Sequence, residues 1–232
     1  MMPSNNGTTK VLVGEHLDMA EDIISKYPNS RSAVLPLLFL VQSIEGHVTN
    51  RGMRDVAALL GLTPAEVLAS GSFYTMLKKR PSGEYVISVC RNVSCAHRGS
   101  YKVINALGDR LGVQPGGVTP DGKFEFETAE CLATCDGAPS MQINYEDFYN
   151  VTPMEAVELI DRIERGETMN SFRGEPVKTH KEVSYETAVA GARLPGTAGD
   201  VTGRTVGGES PREDMKVTDR PKLGSTEESR GG

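Results

Sequence analysis

Apolar residues recur at helical spacing through the first third of the chain and at alternate positions only beyond it. Leu17, Ala20, Ile23, Ile24 and Tyr27 share one face of a helix that starts near Glu15 and is stopped by Pro28. Over 30–45 almost every side of the next helix is apolar, with Val34, Leu35, Leu37, Leu38, Phe39, Leu40, Val41 and Ile44. A helix without a polar face is a buried one. Pro36 belongs in its first turns, where a missing N–H costs least, and Gly46 is its stop. A third helix is predicted over 51–60, ending at Gly61. The fourth opens on a capping box, with Thr63 as cap, Pro64 at the first helical position and Glu66 three residues after the cap; it carries Val67 and Leu68. Residues 15–81 therefore read as a helical domain without a catalytic group, behind a polar, flexible segment at 1–14.

Beyond Pro81-Ser82-Gly83 the period becomes two. Tyr85, Ile87 and Val89 alternate with Val86, Ser88 and Cys90, which predicts a strand with Cys90 at its carboxyl end. Val103, Ile104, Leu107 and Leu111 return to helical spacing over 101–112, and the positive end of that helix faces back toward Cys90 and Cys95. Asp121-Gly122 marks a turn, and Phe124 and Phe126 alternate with Glu125 and Glu127 in a second strand. Strands over 140–144 and 148–151, joined by Tyr145-Glu146-Asp147, precede a second capping box, Thr152, Pro153 and Glu155. Its helix carries Val157, Leu159, Ile160 and Ile163. The order β-α-β-β-β-α over 82–166 is the plan of a thioredoxin-like fold, so the class is α+β: a helical bundle followed by a thioredoxin-like domain. From Gly166 on, Gly, Pro, Thr, Ser and charge dominate, with few bulky residues besides Phe172, Tyr185 and Leu194. Residues 167–232 read as an extended or disordered partner-binding tail.

Composition narrows the function. With 232 residues of which 38% are hydrophobic, the chain can bury one moderate core or two small ones. A net charge of −6 and a pI near 5.3 argue against nucleic acid as a partner. The longest apolar run, 33–41, contains Pro36 and falls far short of the roughly 20 residues that cross a bilayer, so no direct membrane insertion is expected. The first residues lack both the pattern of an export signal and that of an Arg-rich transit peptide.

All four cysteines lie between Cys90 and Cys135, as Cys90-x4-Cys95 and Cys131-x3-Cys135. Two disulfides would need an oxidising compartment, to which nothing here points. A structural zinc takes tighter C-x2-C knuckles. A [2Fe-2S] cluster needs two thiolates on each of two irons, and longer loops leave room for its bridging sulfides; the spacing differs from that of plant-type ferredoxins. Cys90 and Cys95 would then serve one iron, and Cys131 and Cys135 the other. Cys95-Ala96-His97 is half of a Rieske pattern, but no histidine follows the second pair closely, and His97 reads as a solvated residue. Pro139, just before the third strand, holds the place where a thioredoxin-like fold often has a cis proline, and Gly137 would let backbone approach inorganic sulfide.

These residues carry a resemblance. Arg31-Ser32-Ala33-Val34-Leu35-Pro36-Leu37-Leu38, Leu62-Thr63-Pro64-Ala65-Glu66-Val67, Ser72-Phe73-Tyr74-Thr75 and Cys90-x4-Cys95-x35-Cys131-x3-Cys135 followed by Ala138-Pro139 are similar to the thioredoxin-like [2Fe-2S] subunit (NuoE type) of the NADH-oxidising module of respiratory complex I. The resemblance covers 15–166. It implies one [2Fe-2S] cluster on Cys90, Cys95, Cys131 and Cys135, with FMN and NADH held by a partner flavoprotein among the other peripheral-arm subunits. It also implies one-electron exchange with that flavin, no catalysis by this chain alone, and a peripheral place on the cytoplasmic side of a bacterial inner membrane. The chain itself carries no G-x-G-x-x-G fingerprint. A departure is the second loop, Leu132-Ala133-Thr134 and Asp136, where more glycine is expected. The equivalent subunit of a NAD-dependent formate dehydrogenase or NAD-reducing hydrogenase, and a non-redox zinc-stapled adaptor, remain as alternatives.

Overall fold

The structure, a computed structural model, describes residues 10–190; the predicted flexible segment at 1–9 and the tail over 191–232 lie outside the described residues. The helical part comprises α1 (Glu15–Ser25), α2 (Val34–Glu45), α3 (Asn50–Leu60) and α4 (Pro64–Phe73). The helix expected over 30–45 is divided. Asn29 accepts a hydrogen bond from the Arg31 N–H and starts a short 3-10 turn, Ser30–Ala33, before α2 proper. Pro36 sits in the first turn of α2, and Leu37, Leu38, Leu40 and Val41 are buried. Gly46 and Gly61 close α2 and α3 in the left-handed conformation that a Cβ disfavours (φ 79° and 65°). Gly52 lets α3 approach α2, since a Cβ there would lie 2.3 Å from Val41 Cγ1. The Thr63 capping box forms, although Leu68 on the same helix faces out. The flexible reading of 1–14 is corrected at its end: Val11 and Leu12 are buried, and both their N–H groups donate to Asp55 Oδ2, at 2.5 and 3.1 Å.

The second part holds, among the described residues, a five-stranded sheet in the order β2-β3-β1-β4-β5. Its strands are β1 (Tyr85–Cys90), β2 (Gly117–Val118), β3 (Phe124–Ala129), β4 (Met141–Ile143) and β5 (Glu146–Phe148). Only β1 and β3 run parallel among these pairs. Their crossover contains the short α5 (Val93–His97) and α6 (Ser100–Leu111), and α7 (Pro153–Glu164) follows the sheet. As the middle strand, β1 is buried on both faces from Val86 to Cys90, which parallel central strands require. Phe124, Phe126, Ile87, Met141 and Ile143 form the second core with Leu107 of α6 and Ile160 of α7. Full burial of each such side chain contributes about 1.5–3 kcal/mol. The hairpin joining β4 and β5 is tighter than expected: Asn144 and Tyr145 (φ 47° and 71°) make a two-residue turn, and the strand predicted over 148–151 begins at Glu146 instead.

The tail reading of 167–232 is corrected over 167–190. Met169 and Val177 join the core around the sheet, and α8 (His180–Ala190) lies against α2, burying Ala188 in the helical core. The physical reason is polar. Gln42 of α2 is fully buried; its Nε2 donates to Met76 O (3.0 Å) and Ser184 Oγ (3.0 Å), and its Oε1 accepts from the Lys78 N–H (2.7 Å). His180 Nδ1 meets Ser82 Oγ at 3.1 Å. Asn144 Nδ2 reaches both Glu84 O and Lys178 O, which ties the same segment to the sheet. Both cores and α8 fall in one compact unit that extends from Met1 to Leu194.

Candidate iron–sulfur site

Two loops meet at one end of the sheet because β1 and β3 are parallel and in register. Cys90, the last residue of β1, is paired with Ala129, the last of β3, and the Arg91 N–H donates to Ala129 O at 2.9 Å. The chain leaves both strands in the same direction. Cys95 follows on α5, which Asn92 caps by accepting from the Val93 N–H, and Cys131 follows β3 directly. Cys135 begins a short 3-10 turn, Cys135–Gly137, that leads into the cis Ala138–Pro139 bond and β4. Pro139 is thus cis, as expected from its place. The helix predicted to start next to the first pair is preceded by α5, so it is Cys95 itself, not a loop, that enters a helical turn.

The thiols stand two by two. Cys90 and Cys95 are hydrogen-bonded to each other and buried; Cys131 and Cys135 are hydrogen-bonded to each other and exposed. Among the described residues no three His, Cys, Asp or Glu side chains converge as around one metal ion. The two loops nevertheless interlock. The Leu132 N–H from the second loop reaches Cys90, Ser94 from the first reaches Cys135, and the charge on Cys95 is felt at Cys135. Burial pushes the Cys90 thiol up, Cys95 adds to this, and the N–H groups of Asn92 and Leu132 oppose it. The hydrogen bond to Cys131 and the charge there push the Cys135 thiol up. A metal would reverse both tendencies by holding the thiolates. Ala133, at φ 59°, turns its N–H onto Cys131 Sγ at 3.4 Å.

This donor set fits a binuclear cluster: four soft thiols in two pairs, with backbone N–H groups turned toward the sulfurs. A single tetrahedral ion would ask for one quartet. His97 ends α5 with its side chain exposed. Asp136 is exposed in the second loop. Gly137 has a different reason from the one expected: a Cβ there would fall 2.2 Å from Tyr149 Cγ, so the glycine makes room for that ring, which stacks on Phe172 at 4.0 Å. Two residues that the spacing of cysteines does not reveal are Thr134 and Ser140, both buried; Thr134 Oγ1 donates to Ser140 Oγ at 2.8 Å, and Ser140 Oγ lies 3.6 Å from Cys95 Sγ.

Residues 20–164 match the thioredoxin-like [2Fe-2S] ferredoxin family. The NuoE-type chain of NADH-quinone oxidoreductase from Mycobacterium tuberculosis is 43% identical over 165 residues, which cover 71% of this chain and 66% of that protein, slightly less than two thirds of its length. NADH-quinone oxidoreductase subunit 2 of Thermus thermophilus is 39% identical over 133 residues, covering 56% of this chain and 74% of that protein. A chain of NAD+-reducing [NiFe]-hydrogenase overlays 49% of this chain and 20% of its own, with a TM-score of 0.46 and 25% identity. Two pairs of thiols at the carboxyl ends of parallel strands are what an iron–sulfur family asks of its fold, and the chain belongs to the thioredoxin-like [2Fe-2S] ferredoxins, among the NuoE-type relatives from NADH-quinone oxidoreductase.

Proposed function

We propose that this chain is the electron-carrying subunit of the NADH dehydrogenase module of a bacterial complex I, peripheral on the cytoplasmic side of the membrane. Cys90 and Cys95 hold one iron of a [2Fe-2S] cluster, and Cys131 and Cys135 hold the other. The observation that carries the reading is the register of β1 on β3, which delivers both cysteine loops to one end of the sheet, interlocked through Leu132 and Ser94. Such a cluster supplies reversible one-electron storage.

The chain's own contribution is to bind, bury and aim. The first pair sits inside the protein, where Ala138 and Leu132 pack around it and exclude water. The second pair stands at the surface, so the cluster's exposed edge is where a partner's flavin would exchange electrons over the shortest path. FMN and NADH belong to that partner, since nothing in the chain forms a nucleotide fingerprint, and this chain alone catalyses no turnover. Among the described residues no single helix is long and apolar enough to cross a membrane, which suits a peripheral subunit.

The test is anaerobic purification of the full chain with iron and sulfide analysis. A brown protein with equal iron and sulfide and little zinc is expected. Cys95→Ser and Cys131→Ser should each lose the colour, and His97→Ala should keep it. A colourless, zinc-loaded parent would sink the reading, and bleaching by the histidine change would refute the ligand set. Co-purification with quinone-reducing membrane subunits, rather than formate dehydrogenase or hydrogenase subunits, decides the complex.

A further inference from the structure

Ser140 occupies an unusual position between the two cysteine loops. Its carbonyl accepts the Cys90 N–H at 3.2 Å, its hydroxyl lies 3.6 Å from Cys95 Sγ, and that hydroxyl receives a hydrogen bond of 2.8 Å from Thr134, which stands between Cys131 and Cys135. Ser140 and Thr134 are 2% and 5% exposed, so water does not compete for these groups. We propose that Ser140, oriented by Thr134, is a positioning residue that raises the reduction potential of the cluster by donating a hydrogen bond to Cys95 Sγ. The proposal rests on the ligand set given above.

The direction of the protons follows from counting them. A cysteine that holds iron is a thiolate, with no proton to give, so it can only accept. The one proton of Ser140 must then point at Cys95 Sγ. Its oxygen is left free to accept, and the one proton of Thr134 fills that role. Two hydroxyls thus form a one-way relay, Thr134 to Ser140 to sulfur, whose polarity is fixed by its terminus. Reduction adds negative charge to the cluster and makes its sulfur ligands better acceptors. A donor aimed at one of them therefore stabilises the reduced form more than the oxidised form. Burial strengthens the effect, and the donation from Thr134 polarises the second bond further.

Redox titration of the purified holoprotein with dithionite and mediators, followed by the electron paramagnetic resonance of the reduced cluster, tests this. Ser140→Ala should shift the reduction equilibrium about tenfold toward the oxidised form, a fall of about 59 mV for a one-electron couple. Ser140→Thr, which keeps the hydroxyl, should stay close to the parent. Thr134→Val should shift the same way by less, and in the Ser140→Ala background it should add nothing, because Thr134 acts only through Ser140. A brown Ser140→Ala protein with the parent's potential overturns the proposal, as does a Thr134→Val effect that persists without Ser140. Should Ser140→Ala fail to hold the cluster, Thr134→Val alone decides, and an unmoved potential refutes. A parent without any cluster defeats the ligand set instead, and is seen before titration begins.

Discussion

Replacing Gln42 by Leu tests whether the polar seam between α2, α8 and the 76–82 segment holds the chain together or merely fills space. The substitution leaves the Lys78 N–H without its acceptor and takes from Met76 O its 3.0 Å donor, so that only the Tyr145 hydroxyl at 3.5 Å remains there. Ser184 is spared, because its hydroxyl also donates to His180 O at 2.7 Å. Each buried polar group left unpaired costs about 1–3 kcal/mol, which for these two gives a loss of roughly 2–5 kcal/mol. Burying Leu in place of an amide offsets about 1 kcal/mol of that. A net destabilisation of about 2–4 kcal/mol is expected in urea unfolding of the full chain, read by far-ultraviolet circular dichroism. Gln42→Glu keeps the acceptor but aims an oxygen at Met76 O and buries a charge, so it should lose more. A Gln42→Leu protein within about 0.5 kcal/mol of the parent would show that the seam is a spectator, and the account of why residues 180–190 dock would fall with it.

Burial, assisted by Lys78 and opposed by Glu127, lowers the His180 imidazole to about 4. Because the unfolded chain takes up its proton near pH 6.5, stability from this group is full above that pH and drains away as pH falls toward 4, by about 2 kcal/mol in all. His180→Gln should flatten the pH dependence of unfolding in that window; an unchanged slope would rule out a neutral buried imidazole. Ala133→Gly relieves a left-handed alanine worth about 1–2 kcal/mol and gives back about 0.5–1 kcal/mol in unfolded-state entropy. A rise in Tm of a few degrees is expected, and a fall contradicts the strained backbone. Gly52→Ala should destabilise by about 1–3 kcal/mol through its clash with Val41, and Val41→Ala should absorb much of that clash; additive losses in the double variant would show that the helices separate instead.

Much of the site was legible because its chemistry is written in local signals. Four cysteines in two short loops, a strand ending at Cys90 and two capping boxes locate the pairs without any tertiary information. What the cysteine pattern leaves out is their joining, which depends on the parallel pairing of two strands far apart in sequence. Thr134 and Ser140 were hidden for a related reason: isolated hydroxyl residues in a loop look solvated until the fold closes over them. The reading failed most at α8. Its start carries a third capping box, with Thr179 Oγ1 accepting from the Glu182 N–H and Glu182 accepting from the Thr179 N–H. Yet its buried stripe is His180, Ser184 and Ala188, four residues apart, so helical spacing was present while hydrophobicity was not. The face it meets carries Gln42, and only that complementary amide explains the burial of a histidine and a serine.

The return of α8 to α2 has a consequence for how the protein is made. Ala188 completes a core whose other members leave the ribosome more than a hundred residues earlier, and it emerges only after every cysteine has done so. The first helices must therefore wait, incompletely closed, while the sheet forms behind them. A cut near residue 81 would yield two fragments, neither with its full interior, so iron loading and final closure of the helices become late events of a single synthesis.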